Sequence, residues 1–226
     1  MTKEEREKKE LERLRSMYSF EQEQKGQFSV VFGIDEAGRG PLCGPVVTAC
    51  TVLPEKEYIL WLNDSKKLSE KKRGELYPVI LEKALAYGIG MSSPERIDRV
   101  NILNATLEAM KDAYEACRGM LREKRPDIME EQIIVLVDGN RSVPGIRETQ
   151  KTVIGGDAKC PSVSAASILA KVTRDRLLEE YDKEWPEYGF AKHKGYGTKE
   201  HIEAIRRFGL LPVHRRSFAG KFADAE

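Results

Sequence analysis

Three apolar stretches of this chain run into acids. Val30, Val31, Phe32 and Ile34 lead to the adjacent pair Asp35 and Glu36. Ile133 to Val137 leads to Asp138, and Val153-Ile154 leads through Gly155-Gly156 to Asp157. The first two runs are continuously apolar, the pattern of strands covered on both faces. A carboxylate at the end of a buried strand is costly unless something binds it, and the strand ends of open α/β sheets are where sites assemble. Four carboxylates converging there repel one another unless divalent cations neutralise them. Oxygen donors without cysteine or an evident histidine select Mg²⁺ or Mn²⁺ over zinc. Such a cluster suits two-metal phosphodiester hydrolysis, in which one ion activates water and the other stabilises the leaving oxygen. Taken singly, each acid also fits a turn or a helix cap, and Asp138-Gly139 is an ordinary turn pair. Three acid-bearing strand ends together favour the metal site. Neighbours on a strand point to opposite faces, so Asp35 and Glu36 share a site only if the strand ends or bulges there. The following Gly38-Arg39-Gly40-Pro41 permits that, and lets a backbone or phosphate approach closely.

Other chemistries lack their signatures. Gly33 to Gly40 departs from GxGxxG, and no GxxxxGK[ST] occurs, so dinucleotide and Walker-type sites are not indicated. Ser164 and Ser167 fall in a helical stretch rather than a nucleophile elbow. The four cysteines form no CxxC pair and suit small packing roles in a reducing compartment. His193, His201 and His214 are scattered in sequence, and fit a structural or surface role better than phosphate contact.

These residues need a scaffold. The chain has 226 residues, 33% of them charged, with a net charge of +1. That suits one large α/β domain with a highly charged surface. No apolar run is long enough to span a bilayer, and a start rich in Glu and Lys is unlike a signal peptide, so a cytoplasmic protein is expected. Residues 1–27 read as a charged helical extension with a thin stripe at Leu11, Leu14, Met17 and Tyr18, lying on a catalytic domain spanning 28–226. Strands are expected near 29–35, 46–53 and 85–91, the first two paired antiparallel through a short Gly/Pro connection. Ser69 and Thr198 are good N-caps for helices ending near Lys83 and Phe208. Ser93-Pro94-Glu95 opens a short helix, and a long one follows from Asn101. The helix from Ser162 begins with small residues that allow close packing on a sheet. The tail after Gly209 reads as basic and irregular. From Phe190 to Lys221 eight Lys/Arg face two acids, a source of sequence-independent attraction to phosphates.

These motifs resemble the type 2 ribonuclease H family of bacteria, ribonuclease HII. The likeness runs from Gly33-Ile34-Asp35-Glu36-Ala37-Gly38-Arg39-Gly40-Pro41-Leu42 through Asn63-Asp64-Ser65-Lys66-Lys67-Leu68-Ser69, Val137-Asp138-Gly139-Asn140 and Gly156-Asp157. It continues through Ser164 to Asp175, through Tyr188-Gly189-Phe190 to Tyr196, and through His214-Arg215-Arg216-Ser217-Phe218. It implies a ribonuclease-H-like mixed sheet flanked by helices, with a helical C-terminal portion. It also implies cleavage of the RNA strand of RNA–DNA hybrids, and incision 5′ to a single ribonucleotide embedded in DNA, leaving 5′-phosphates. By resemblance, Asp35, Glu36, Asp138 and Asp157 are the metal ligands, with Mn²⁺ or Mg²⁺ as cofactor. Gly38-Arg39-Gly40 matches the loop that senses the ribose 2′-hydroxyl, the atom that tells RNA from DNA. Tyr196 matches the tyrosine packed on the sugar at the RNA–DNA junction; from its flanks alone it also fits burial under the last helix. Lys66 and Lys67 add phosphate attraction or simply form a solvated loop. A monomer without membrane association is expected. A silent hybrid-binding protein would be free to lose one of the four acids, and a DNA-only nuclease would not need Gly38-Arg39-Gly40 with Tyr196.

Overall fold

The computed structural model describes residues 2–55 and 58–223. Its centre is a five-stranded mixed sheet in the order β3-β2-β1-β4-β5. The strands are β1 (Val30–Ala37), β2 (Val46–Val52), β3 (Ala86–Ser92), β4 (Ile133–Asp138) and β5 (Thr149–Val153). β1 pairs antiparallel with β2 and parallel with β4. β2 is buried along its whole length, and the hydroxyls of its two threonines, Thr48 and Thr51, donate to the Gly90 and Ser162 carbonyls.

Helices cover both faces. On one face, α4 (Ile102–Lys124) packs Met110, Tyr114, Cys117 and Leu121 against Phe32, Ile34, Val135 and Val137. It comes so close to β3 that a Cβ at Gly90 would meet the Ala109 carbonyl. On the other face lies α5 (Pro161–Glu184), whose first half is small: Ala165, Ala166 and Ala170 are buried against Val47 and Ala49. α2 (Glu70–Lys83) runs beside α5 and starts at the expected cap, with the Ser69 hydroxyl accepting from Lys72 N–H. α3 (Pro94–Val100) precedes α4.

α1 (Lys3–Lys25) lies on the domain. Leu14, Met17 and Tyr18 are buried, and so is Glu21, which accepts from both the backbone N–H and the hydroxyl of Ser162 at the start of α5. The C-terminal part holds α6 (Phe190–His193), α7 (Lys199–Phe208, capped by Thr198) and α8 (Arg216–Ala223). The last of these corrects the expectation of an irregular tail. Its first N–H groups, those of Arg216 and Ser217, donate to the Asp98 carboxylate on α3. The cap comes from a distant element, so no local signal marks it.

Candidate metal centre and nucleic-acid face

The carboxylate site sits where the β4 ladder ends. β1 and β4 pair up to Ile34 and Val137, whereas β1 stays in regular register with β2 through Asp35, Glu36 and Ala37. β1 therefore overhangs β4. β1 neither ends nor bulges at Asp35-Glu36, and Asp138, the last residue of β4, stands beyond the last pair that β4 makes with β1. Asp157 arrives from the turn after β5. Gly155 takes a left-handed φ of 67° there, and Gly156 N–H donates to Asp138 Oδ1 at 2.7 Å.

Asp35, Asp138 and Asp157 each present an oxygen within 4.8 Å of the others. Glu36 stands outside this triad, its Oε1 3.5 Å from Arg39, but it is coupled electrostatically to Asp138. Asp35 is almost fully buried, and its Oδ2 has no hydrogen-bond partner among the described residues. Burial pushes the Asp35 carboxyl well above its usual range, and the nearby charges of Glu36 and Asp138 push it further. Burial and Asp138 likewise raise Asp157 to about 6. Burial raises Glu36 too, against the opposing pull of Arg39. A buried orphan oxygen among mutually destabilised carboxylates is what a hard cation satisfies, so the residues present fit a Mg²⁺ or Mn²⁺ site.

Lys66 faces the acids, with Nζ 3.9 Å from Asp157 Oδ2. Burial works against its charge, yet Asp35, Asp157, Asp64 and Asp138 outweigh that effect and raise its pKa. Lys67 is exposed.

The Gly38-Arg39-Gly40 loop is held from behind by two buried arginines. Arg215 donates to the carbonyls of Gly38, Arg39 and Gly44, at 2.5, 2.8 and 2.9 Å. Arg174 donates to those of Cys43, Pro45 and Lys194, at 2.9, 3.1 and 2.9 Å. Burial, with Arg174 nearby, lowers the Arg215 pKa to about 9. In a trans peptide the N–H points opposite to the C=O. With the Gly38 and Arg39 carbonyls turned inward, the N–H groups of Arg39 and Gly40 turn outward, two adjacent donors for a ligand oxygen. A Cβ at Gly38, whose φ is 91°, would collide with the Arg174 side chain. Tyr196 is 47% exposed, not buried under the last helix. A Cβ at Gly40 would lie 3.9 Å from its ring. The structure thus brings Tyr196 to the glycine loop.

Arg174 and Arg215 are what sequence reasoning missed. Both lie within the motifs quoted above, but nothing local distinguishes a buried arginine from a surface one. Counting Arg215 among the phosphate attractors is corrected by its full burial. Lys192 is engaged by Glu200, and Lys194 by Glu179 and Glu70. The exposed cations of that segment are Lys192, Lys199, Arg206, Arg207, Arg216 and Lys221.

A model of the family described as Ribonuclease HII matches residues 32–221. The Ribonuclease HII of Clostridioides difficile (strain 630) is 52% identical over 213 residues, covering 93% of this chain and 78% of the relative. The crystal structure of the ribonuclease H2 from Pyrococcus horikoshii OT3 superposes with a TM-score of 0.67 at 28% identity, covering 87% of this chain and 100% of that one. A Bst ribonuclease HIII solved in complex with Mn²⁺ gives a TM-score of 0.68 at 19% identity, over 88% of this chain and 70% of that one. This last likeness is one of fold. Among the described residues, no helix is long and apolar enough to cross a membrane.

Proposed function

The chain belongs to the ribonuclease HII family, divalent-metal-dependent endoribonucleases acting on RNA–DNA hybrids, and on that premise we propose that it also incises duplex DNA 5′ to a single embedded ribonucleotide. In this reading Asp35, Glu36, Asp138 and Asp157 hold two divalent cations, Mg²⁺ or Mn²⁺. When bound, such a pair supplies an activated water and stabilises the leaving oxygen. The observation that carries the assignment is the orphaned, buried Oδ2 of Asp35 within the carboxylate triad.

The chain's own residues do the rest. The outward N–H groups of Arg39 and Gly40 receive the ribose 2′-hydroxyl, which donates and accepts hydrogen bonds. The Tyr196 ring packs on the adjoining sugar, and its closeness to Gly40 supports reading both as one recognition surface. Lys66, beside Asp157, and the exposed Lys67 draw phosphate toward the acids. Arg39, 3.5 Å from Glu36, opposes the burial that raises that carboxyl.

The same reading has residues 28–226 as the catalytic domain, with 1–27 as an extension, and the protein working as a monomer in the cytoplasm. Four free, buried cysteines support a reducing compartment. The test is cleavage of a duplex carrying one ribonucleotide, beside an all-DNA duplex and a continuous hybrid, with and without Mg²⁺ or Mn²⁺. Metal-dependent cleavage of the hybrid and of the mixed duplex at its ribonucleotide, with the all-DNA duplex untouched, is the expected result; cleavage of the hybrid alone would reject the single-ribonucleotide reading.

A further inference from the structure

The three histidines, scattered in sequence, meet in the structure. They are buried among Tyr188 and Phe190, and the His193 and His201 rings stack with centroids 4.4 Å apart. Their proton positions follow from the backbone groups they meet. A backbone N–H only donates. Leu211 N–H donates to His214 Nδ1 at 2.9 Å, so the neutral His214 ring carries its proton on Nε2. That Nε2 lies 3.1 Å from His201 Nε2, so His201 accepts there and its own proton sits on Nδ1. His201 Nδ1 then donates to the Tyr196 carbonyl at 2.9 Å. His193 is fixed separately: its Nδ1 accepts from Gly195 N–H at 3.2 Å, and its Nε2 donates to the Tyr188 carbonyl at 2.8 Å.

A metal site does not explain this arrangement. Zinc needs ring nitrogens aimed at one point, whereas the Nδ1 atoms of His193 and His214 both accept backbone N–H groups. The relay ends instead on the residue whose ring meets the glycine loop. The segment carrying it has an unusual backbone: Lys194 and Gly195 are left-handed, with φ of 50° and 81°. Its other ties are the Gly195 carbonyl accepting from Leu42 N–H at 2.8 Å and the Lys194 carbonyl accepting from Arg174.

We propose that His201 and His214 are positioning residues for Tyr196: a one-way relay from Leu211 N–H through His214 and His201 holds the Tyr196 carbonyl and fixes the strap that presents its ring beside Gly40. The inference rests on the reading of Tyr196 given above. Thr198 N–H also donates to the Tyr196 carbonyl, at 2.8 Å, so the relay fixes the direction of a carbonyl already held by its own turn. This explains why buried, uncharged histidines, rather than apolar side chains, fill the space beneath an exposed aromatic ring.

The test separates the relay from mere packing. His201→Leu keeps bulk and removes the donor, whereas His201→Asn places an amide N–H near the position of Nδ1. In the substrate-free protein, amide exchange over residues 194–198 is expected to quicken about fivefold to tenfold in His201→Leu, the worth of one hydrogen bond, and to stay near wild type in His201→Asn. On a duplex with a single ribonucleotide, His201→Leu is expected to lose about fivefold to tenfold in kcat/KM, and to add nothing further in a Tyr196→Ala background. Unchanged exchange in a folded His201→Leu, or a loss that persists in full without the Tyr196 ring, overturns the proposal. If Tyr196→Ala itself cleaves like wild type, the reading of Tyr196 falls, and the exchange comparison still decides whether the relay holds the strap. Should His201→Leu fail to fold, His214→Leu against His214→Gln, whose amide reaches toward His201, carries the same comparison.

Discussion

Asp35→Asn gives the most direct measure of what the carboxylate cluster costs the fold and gives the chemistry. The carboxylate is buried, its Oδ2 is unpartnered, and Glu36 and Asp138 both press on it. Leaving a buried polar group unsatisfied costs about 1–3 kcal/mol. An amide of the same shape removes the charge and offers Asp138 a donor. The metal-free variant is therefore expected to be about 2 kcal/mol more stable than wild type, or about 4–8 °C in Tm for a chain of this size. The sign has a pH signature. The folded-state pKa of Asp35 lies above its unfolded value. The wild type thus loses stability as pH rises from the unfolded pKa, about 3.9, through the folded one. The gap between variant and wild type should be small at the acid end and widest above the folded pKa. Adding Mn²⁺ should reverse the order. A ligand at a hundredfold its Kd stabilises by about 2.7 kcal/mol, and the variant, lacking a ligand oxygen, should gain less at the same concentration. Cleavage should fall at least about a thousandfold, since losing roughly 4 kcal/mol of transition-state stabilisation has that effect. Calorimetry of both proteins with and without Mn²⁺, beside a single-turnover cleavage assay, reads all of this. A metal-free variant that melts below wild type, or cleavage within tenfold of wild type, would refute the reasoning.

Tyr196→Ala should lose about 1–3 kcal/mol of contact with substrate, about a fivefold to 150-fold fall in single-ribonucleotide incision, with the Mn²⁺-induced shift in Tm unchanged; normal cleavage of both substrate types would remove the ring from recognition. His201 and His214 are held near pKa 4 by burial, against an unfolded value of 6.5. Their contribution to stability is present above pH 6.5 and lost as pH falls toward 4, with a slope of up to about 1.4 kcal/mol per pH unit for each group. Urea titrations between pH 7 and 5 should show it, and a flat profile would mean the folded rings take up protons as readily as the unfolded ones. Deleting residues 1–25 should lower Tm by several degrees, because it removes Glu21 from Ser162 and exposes the surface under Leu14 and Met17. Metal-dependent kcat should persist at temperatures where the truncated protein is folded, and a lost kcat in a folded truncation would give α1 a part in the site.

What the sequence made legible was whatever its chemistry expresses locally. Asp35 and Asp138 stand directly after apolar runs, Asp157 follows one across two glycines, and the caps at Ser69 and Thr198 each sit immediately before the helix they open. What stayed hidden depends on partners far along the chain. Arg215 reaches Gly38 across 177 residues, Glu21 reaches Ser162 across 141, and Asp98 caps α8 from 119 residues before Ser217. Each reads in one dimension as an ordinary charged surface residue. For Asp35 and Glu36 the local rule holds. The sequence says correctly that neighbours on a strand diverge: Asp35 joins Asp138 and Asp157, while Glu36 stays outside that triad and feels Asp138 only through its charge. None of the three long-range contacts lies in the carboxylate site, and that of Arg215 lies behind the glycine loop. Metal ligands must be acids whatever surrounds them, so their residue types announce them. A loop that presents backbone N–H groups announces only its glycines, and the groups that aim it can come from anywhere that reaches its carbonyls. In this chain Arg215 reaches the Gly38 and Arg39 carbonyls, while Arg174 packs beneath Gly38 and holds the neighbouring Cys43, Pro45 and Lys194 carbonyls. On the proposed reading, the loop that meets the ribose is aimed by a buried cation that need never meet the substrate.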